Sequence, residues 1–121
     1  MYTFITDGGK RKDITYGSFK IFDDEGNELV HKQIVFGYGT SNLAEYLIMI
    51  EAVKYAIINK MMNIIILTDS RLVVMQTAGE WQCNYDHLRT ARNKLRRLLR
   101  QLDKWEIKKI TRNIVASHLG H

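Results

Sequence analysis

"NIIILTDSRLVV", residues 63–74, is the stretch from which the rest of the chain can be read. Asn63 to Thr68 is too short and too β-branched for a helix of its own and fits a buried strand, whereas Leu72 to Ala78 resumes a helical spacing. Asp69 sits at the junction, where an aliphatic run has no evident need of an acid. The N-terminal stretch "YTFITDGGK", residues 2–10, does nearly the same: an apolar strand from Tyr2 to Thr6 stops at Asp7, before Gly8 and Gly9.

Outward from these two stretches, "YGSFKIFDDEGNELVHKQIVFGYG" alternates apolar and polar residues on both sides of a turn-rich centre, as two antiparallel strands would. From Asn42 to about Lys60 the period changes. Leu43, Tyr46, Leu47, Ile50, Val53, Ile57 and Ile58 recur at three- and four-residue spacing, which predicts a helix with one broad buried face. Asp86 is placed to cap a second long helix through Leu102, "KWEIKKI" reads as a last strand, and Asn113 to Leu119 as a short terminal helix. The order βββαβααβα predicts an α/β domain spanning residues 1–121. Its sheet is five-stranded and mixed, with three antiparallel strands, two more reached through helical crossovers, and helices alongside.

A strand reached through a crossover helix lies parallel to an earlier one, and such sheets place their sites outside the carboxyl ends of the strands. If the fourth strand is parallel to the first, Asp7 and Asp69 emerge at the same edge, about 5 Å apart. Each acid also has a plainer reading: Asp7 opens a turn, Asp69 caps the next helix, and Glu45 completes a capping box with Asn42. What caps leave unexplained is that Glu45, in the first turn of the crossover helix, falls near the same sheet end. Three carboxylates held together repel one another unless a cation offsets them, which favours a hard divalent ion, magnesium or manganese. With a phosphodiester as substrate, a pair of such ions supports hydrolysis.

Composition is that of a globular protein, with 45% hydrophobic and 26% charged residues. No apolar run approaches the length of a membrane span and no signal pattern opens the chain, so a cytoplasmic monomer is expected, with no membrane partner. The lone Cys83 fits a reducing compartment and a packing role. Lys and Arg outnumber Asp and Glu by 18 to 13, and more than half of the basic residues fall between Arg89 and Arg112. Arg89, Arg92, Arg96 and Arg100 form a stripe on the predicted long helix, which reads either as a phosphate-binding face or as a solvated one.

Taken together, "FITDGG", "GTSNLAEYLIMIEAVKYAI", "ILTDSRLVV" and "WEIKKITRNIVASHLG" resemble the successive signature segments of the ribonuclease H type 1 family. The resemblance implies a ribonuclease H-like fold and an endonuclease that hydrolyses the RNA strand of RNA/DNA hybrids with two magnesium or manganese ions. It implies that Asp7, Glu45 and Asp69 are the catalytic, metal-holding carboxylates. It further implies that Gly8, Gly9, Thr40, Ser41 and Asn42 face the hybrid, where 2′-hydroxyl contacts tell RNA from DNA. The resemblance breaks in the terminal helix, where the family's Asn-x-x-Ala-Asp reads Asn113-Ile114-Val115-Ala116-Ser117. Ser117, or His118 beside it, is then the candidate for the fourth ligand position, and reduced activity is expected. The alternative is a nucleic-acid-binding module of the same fold that does not cut.

Overall fold

The computed structural model describes residues 1–120; His121 lies outside the described residues. Strands β1 (Tyr2–Arg11), β2 (Ile14–Phe22) and β3 (Glu28–Tyr38) form an antiparallel meander. Helix α1 (Ser41–Ile58) crosses to β4 (Asn63–Thr68); α2 (Arg71–Ala78) and α3 (Asp86–Leu99) lead to β5 (Lys104–Lys109), and α4 (Arg112–Leu119) follows. The sheet order is β3-β2-β1-β4-β5, with β4 parallel to both β1 and β5. This is the expected mixed sheet of a ribonuclease H-like fold.

Strand alternation sends successive side chains to opposite faces, and each face has its own core. Phe4, Phe19, Ile21, Ile64 and Ile66 pack with Tyr46, Met49 and Val53 of α1 and with Leu88, Leu95 and Leu99 of α3. Ile5 on the opposite face meets Val115 and Leu119 of α4. Full burial of a side chain of this size contributes about 1.5–3 kcal/mol, so the larger cluster fixes the orientation of α1 on the sheet. A buried relay ties α1 to α2: Tyr46 Oη donates to Gln76 Oε1 at 2.7 Å, and Gln76 Nε2 donates to the Gln82 carbonyl at 3.0 Å.

Two boundaries differ from the sequence reading. Strand β1 does not stop at Asp7 but runs to Arg11, with Gly8 opposite Gly17 and Gly9 opposite Tyr16. The glycines are strand residues because α1 presses on the sheet there: a Cβ on Gly8 would lie 2.6 Å from the backbone of Ala44, and one on Gly17 would lie 2.6 Å from Ile48 Cβ. The long α3 ends at Leu99 rather than Leu102, and its N-cap is Tyr85 with no side-chain cap, leaving Asp86 as the first helical residue. Among the described residues, no helix is long and apolar enough to cross a membrane.

Candidate active site

The parallel register of β1 and β4 pairs Ile5 with Leu67, so Asp7 and Asp69, each two residues further on, leave the sheet at the same level. Helix α1 begins at that edge, and Glu45, its fifth residue, comes in from just beyond the first turn rather than within it as the sequence reading placed it. Ligand oxygens of Asp7, Glu45 and Asp69 all lie within 4.8 Å of one another. The plainer roles open to these acids fall to their neighbours. Thr40 is the N-cap of α1, its hydroxyl accepting from the Leu43 N–H at 3.1 Å, and Ser70 is the N-cap of α2, accepting from the Val73 N–H. Asp7 stands inside a strand, not at a turn.

Glu45 is 7% exposed, and its Oε1 accepts the Gly8 N–H at 3.0 Å. Its other oxygen, Oε2, is buried with no hydrogen-bond partner. Burial first, then the charge of Asp7, pushes the Glu45 carboxyl up to about 9; the Gly8 bond opposes this, and the charge of Asp69 adds to it. A buried acid with an orphaned oxygen beside two further carboxylates lacks a positive partner for that oxygen.

Part of the compensating charge comes from a residue that sequence reading missed. Arg112, the first residue of α4, directs Nη1 to Asp7 Oδ2 at 2.8 Å and to Asp69 Oδ2 at 3.1 Å. The bond it donates to Asp7 is the main reason its guanidinium is pushed above its ordinary value. A usable signal existed. Because β5 is parallel to β1, the residues just after β5 return to the carboxyl edge, and the Ile110 N–H still donates to the Thr68 carbonyl.

The remaining candidates separate. Thr40, Ser41 and Asn42 are exposed at the N-terminal end of α1, and Gly8 and Gly9 adjoin Asp7 on β1. Ser117 is exposed, and its hydroxyl donates back to the Ile114 carbonyl of its own helix at 2.8 Å. His118 packs edge-on against Phe22, with 5.5 Å between ring centroids. Phe22 pairs near the start of β1, opposite Thr3, whereas Asp7 pairs with Ser18, so the histidine lies at the other end of the strand from the acids.

The arginine stripe is likewise divided. Arg89 donates to the carbonyls of Cys83 and Asn84 and pairs with Asp86, and Arg96 donates to the carbonyls of Thr77 and Gln76. These two hold the α2–α3 connection. Arg92 bonds only with the adjacent Asn93 among the described residues, and Arg100 is exposed.

A sheet of this topology with an acidic cluster at the carboxyl edge of β1 and β4 defines a ribonuclease H-like protein. Residues 6–118 match the reverse transcriptase-like family model, and the chain belongs to that family. Among solved structures, RNase H1 from the halophilic archaeon Halobacterium salinarum NRC-1 is similar at 28% identity with a TM-score of 0.90, over 94% of this chain and 88% of that one. The N-terminal RNase H domain of a Mycobacterium tuberculosis protein shares the fold at 22% identity and TM-score 0.88, over 95% and 90% of the two chains. LC11-RNase H1, isolated from compost by a metagenomic approach and solved in complex with an RNA/DNA hybrid, shares it at 23% identity and TM-score 0.88, over 97% and 90%. No curated protein matches the chain.

Proposed function

We propose that this protein is a metal-dependent endonuclease that hydrolyses the RNA strand of RNA/DNA hybrids, with Asp7, Glu45 and Asp69 as its metal-holding carboxylates. One observation carries the reading: three acids converge to within 4.8 Å at the carboxyl edge of a ribonuclease H-like sheet, and none of them serves as a helix cap or turn. The donor set is all oxygen, which suits magnesium or manganese, and the buried Glu45 Oε2, without a hydrogen-bond partner among the described residues, could take an ion in place of the proton its carboxyl holds near pH 7. Two bound ions would supply an activated water and charge neutralisation at the scissile phosphate.

The chain's own residues supply position. Exposed Thr40, Ser41 and Asn42, at the N-terminal end of α1, present polar groups to an anionic sugar-phosphate backbone. Glycine at position 8 lets the backbone of α1 lie against β1, which brings Glu45 up to Asp7. Hybrid recognition through 2′-hydroxyl contacts fits this shallow, polar edge.

The second reading, a hybrid-binding module that does not cut, is favoured by Ser117, which offers no negative charge and bonds within its own helix. Incubating labelled RNA/DNA hybrid, duplex DNA and duplex RNA with the protein in magnesium or manganese separates the two. RNA-strand cleavage confined to the hybrid supports the nuclease, hybrid binding with no product supports the module, and neither binding nor cleavage of the hybrid refutes both.

A further inference from the structure

Arg112 places a single nitrogen between the two carboxylates that flank the strand edge, 2.8 Å from Asp7 Oδ2 and 3.1 Å from Asp69 Oδ2. A hard divalent ion held by the same acids would draw on their carboxylate oxygens, and Arg112 already occupies one oxygen on each aspartate. The nitrogen and an ion would therefore compete for the same two carboxylates. Asp7 is almost wholly buried, with 4% of its side chain exposed, whereas 53% of the Arg112 side chain is exposed. The acids are fixed by the sheet, and the arginine reaches them from the solvent side.

We propose that Arg112 is a tethered counter-ion that competes with the divalent ion for Asp7 and Asp69, holding the metal-free site together and lowering its affinity for metal. The inference rests on the reading of these acids as metal ligands. Without a cation, the buried acids repel one another across less than 5 Å, and a guanidinium at hydrogen-bond distance from both aspartates offsets that repulsion. The offset is incomplete. Among the described residues Glu45 Oε2 has no hydrogen-bond partner, so the site retains a ligand atom for an ion even while Arg112 is in place. A divalent ion then enters by displacing a side chain with open solvent on one side, with no movement of strand or helix. An arginine in this position also keeps the aspartates aimed at one point, which a single flexible lysine charge would do less well.

The test is a calorimetric titration of manganese into the metal-free full chain, comparing wild type, R112Q and D7N, with thermal melts in chelator alongside. R112Q is expected to bind manganese at least about fivefold more tightly than wild type, the ratio expected if about 1 kcal/mol of competing interaction is removed. Its metal-free form should melt at a lower temperature than wild type. An R112Q affinity equal to or weaker than wild type overturns the proposal. A second measurement needs no variant at position 112: in wild type, the nitrogen-15 resonances of the Arg112 guanidinium should show hindered rotation without metal and free rotation once magnesium saturates the site. Unchanged resonances at saturation also overturn it. D7N separates this inference from its premise. Manganese binding that D7N leaves intact would show that the acids are not the ligands, whereas binding lost in D7N and unchanged in R112Q would refute the counter-ion alone.

Discussion

The Gly8 amide donates to Glu45 Oε1 at 3.0 Å, and the same glycine lies so close to α1 that a Cβ would stand 2.6 Å from the backbone of both Ala44 and Glu45. Strand β1 thus holds the first turn of α1 by direct backbone contact and orients the buried acid with the amide next to Asp7. Gly8→Ala must drive the helix off the sheet, because the obstructing atoms are backbone. It is expected to cost about 3 kcal/mol or more, at the upper end of overpacking effects, and to weaken manganese binding. Urea unfolding and calorimetry on the same preparation measure both.

The raised Glu45 carboxyl gives the metal-free protein a definite pH dependence. Its folded value of about 9 exceeds the ordinary 4.5, so between those values the folded state binds the proton more tightly than the unfolded chain. The stabilisation is fully present below about pH 4.5 and is lost as pH rises toward 9, with a slope of at most about 1.4 kcal/mol per pH unit. Glu45→Gln, neutral throughout, should flatten that slope. Chemical denaturation at several pH values in chelator gives the comparison. Metal loading should also release a proton near pH 7, measurable from the buffer dependence of the calorimetric heat.

The four arginines of α3 should separate by consequence. Arg96→Ala removes two hydrogen bonds to the carbonyls of Gln76 and Thr77 and is expected to destabilise the protein by about 1–3 kcal/mol. Arg100→Ala should change stability by no more than about 0.5 kcal/mol. If half-buried Arg92 and exposed Arg100 contact phosphates, the double change Arg92→Ala with Arg100→Ala should lower the salt slope of hybrid binding by about two counterions. An unchanged slope would make the pair a solvated face.

Ser117→Asp adds an acid where the ribonuclease H resemblance expects one. The native hydroxyl bonds only within α4, and the side chain is exposed, so the change should not disturb the fold. Initial rates of RNA-strand cleavage should rise by about tenfold at limiting metal, the scale of one contact in a metal's ligand environment. A metal titration of initial rates for the two proteins measures it.

Much of this site was legible because it depends on topology. An acid following the apolar run of one strand, a crossover helix with an acid near its start and a second strand followed by an acid suffice once the parallel pairing is inferred, and β1 and β4 pair as required, although β1 itself continues past Asp7. Sequence alone left open whether those acids were caps, since a cap depends on which neighbour reaches the free N–H groups; Thr40 and Ser70 do. Arg112 was legible only in part: the return of the chain to the carboxyl edge after β5 could be inferred, but nothing singled out this side chain as one that reaches the acids. It lies 105 positions from Asp7 and 43 from Asp69, and only the packing of α4 across β1 aims it at them. The further bonds of the arginine stripe were hidden for a related reason: helical spacing places Arg89 and Arg96 on one side of α3, but the carbonyls they bond belong to the preceding loop and to the end of α2.

The most direct test of the central claim follows the RNA strand of an end-labelled RNA/DNA hybrid under manganese, with wild type and Asp7→Asn prepared in parallel. Wild type should yield shortened RNA with the DNA strand intact, and Asp7→Asn, folded by circular dichroism, should yield none. RNA cleavage equal in the two proteins would contradict a nuclease site built on Asp7, Glu45 and Asp69.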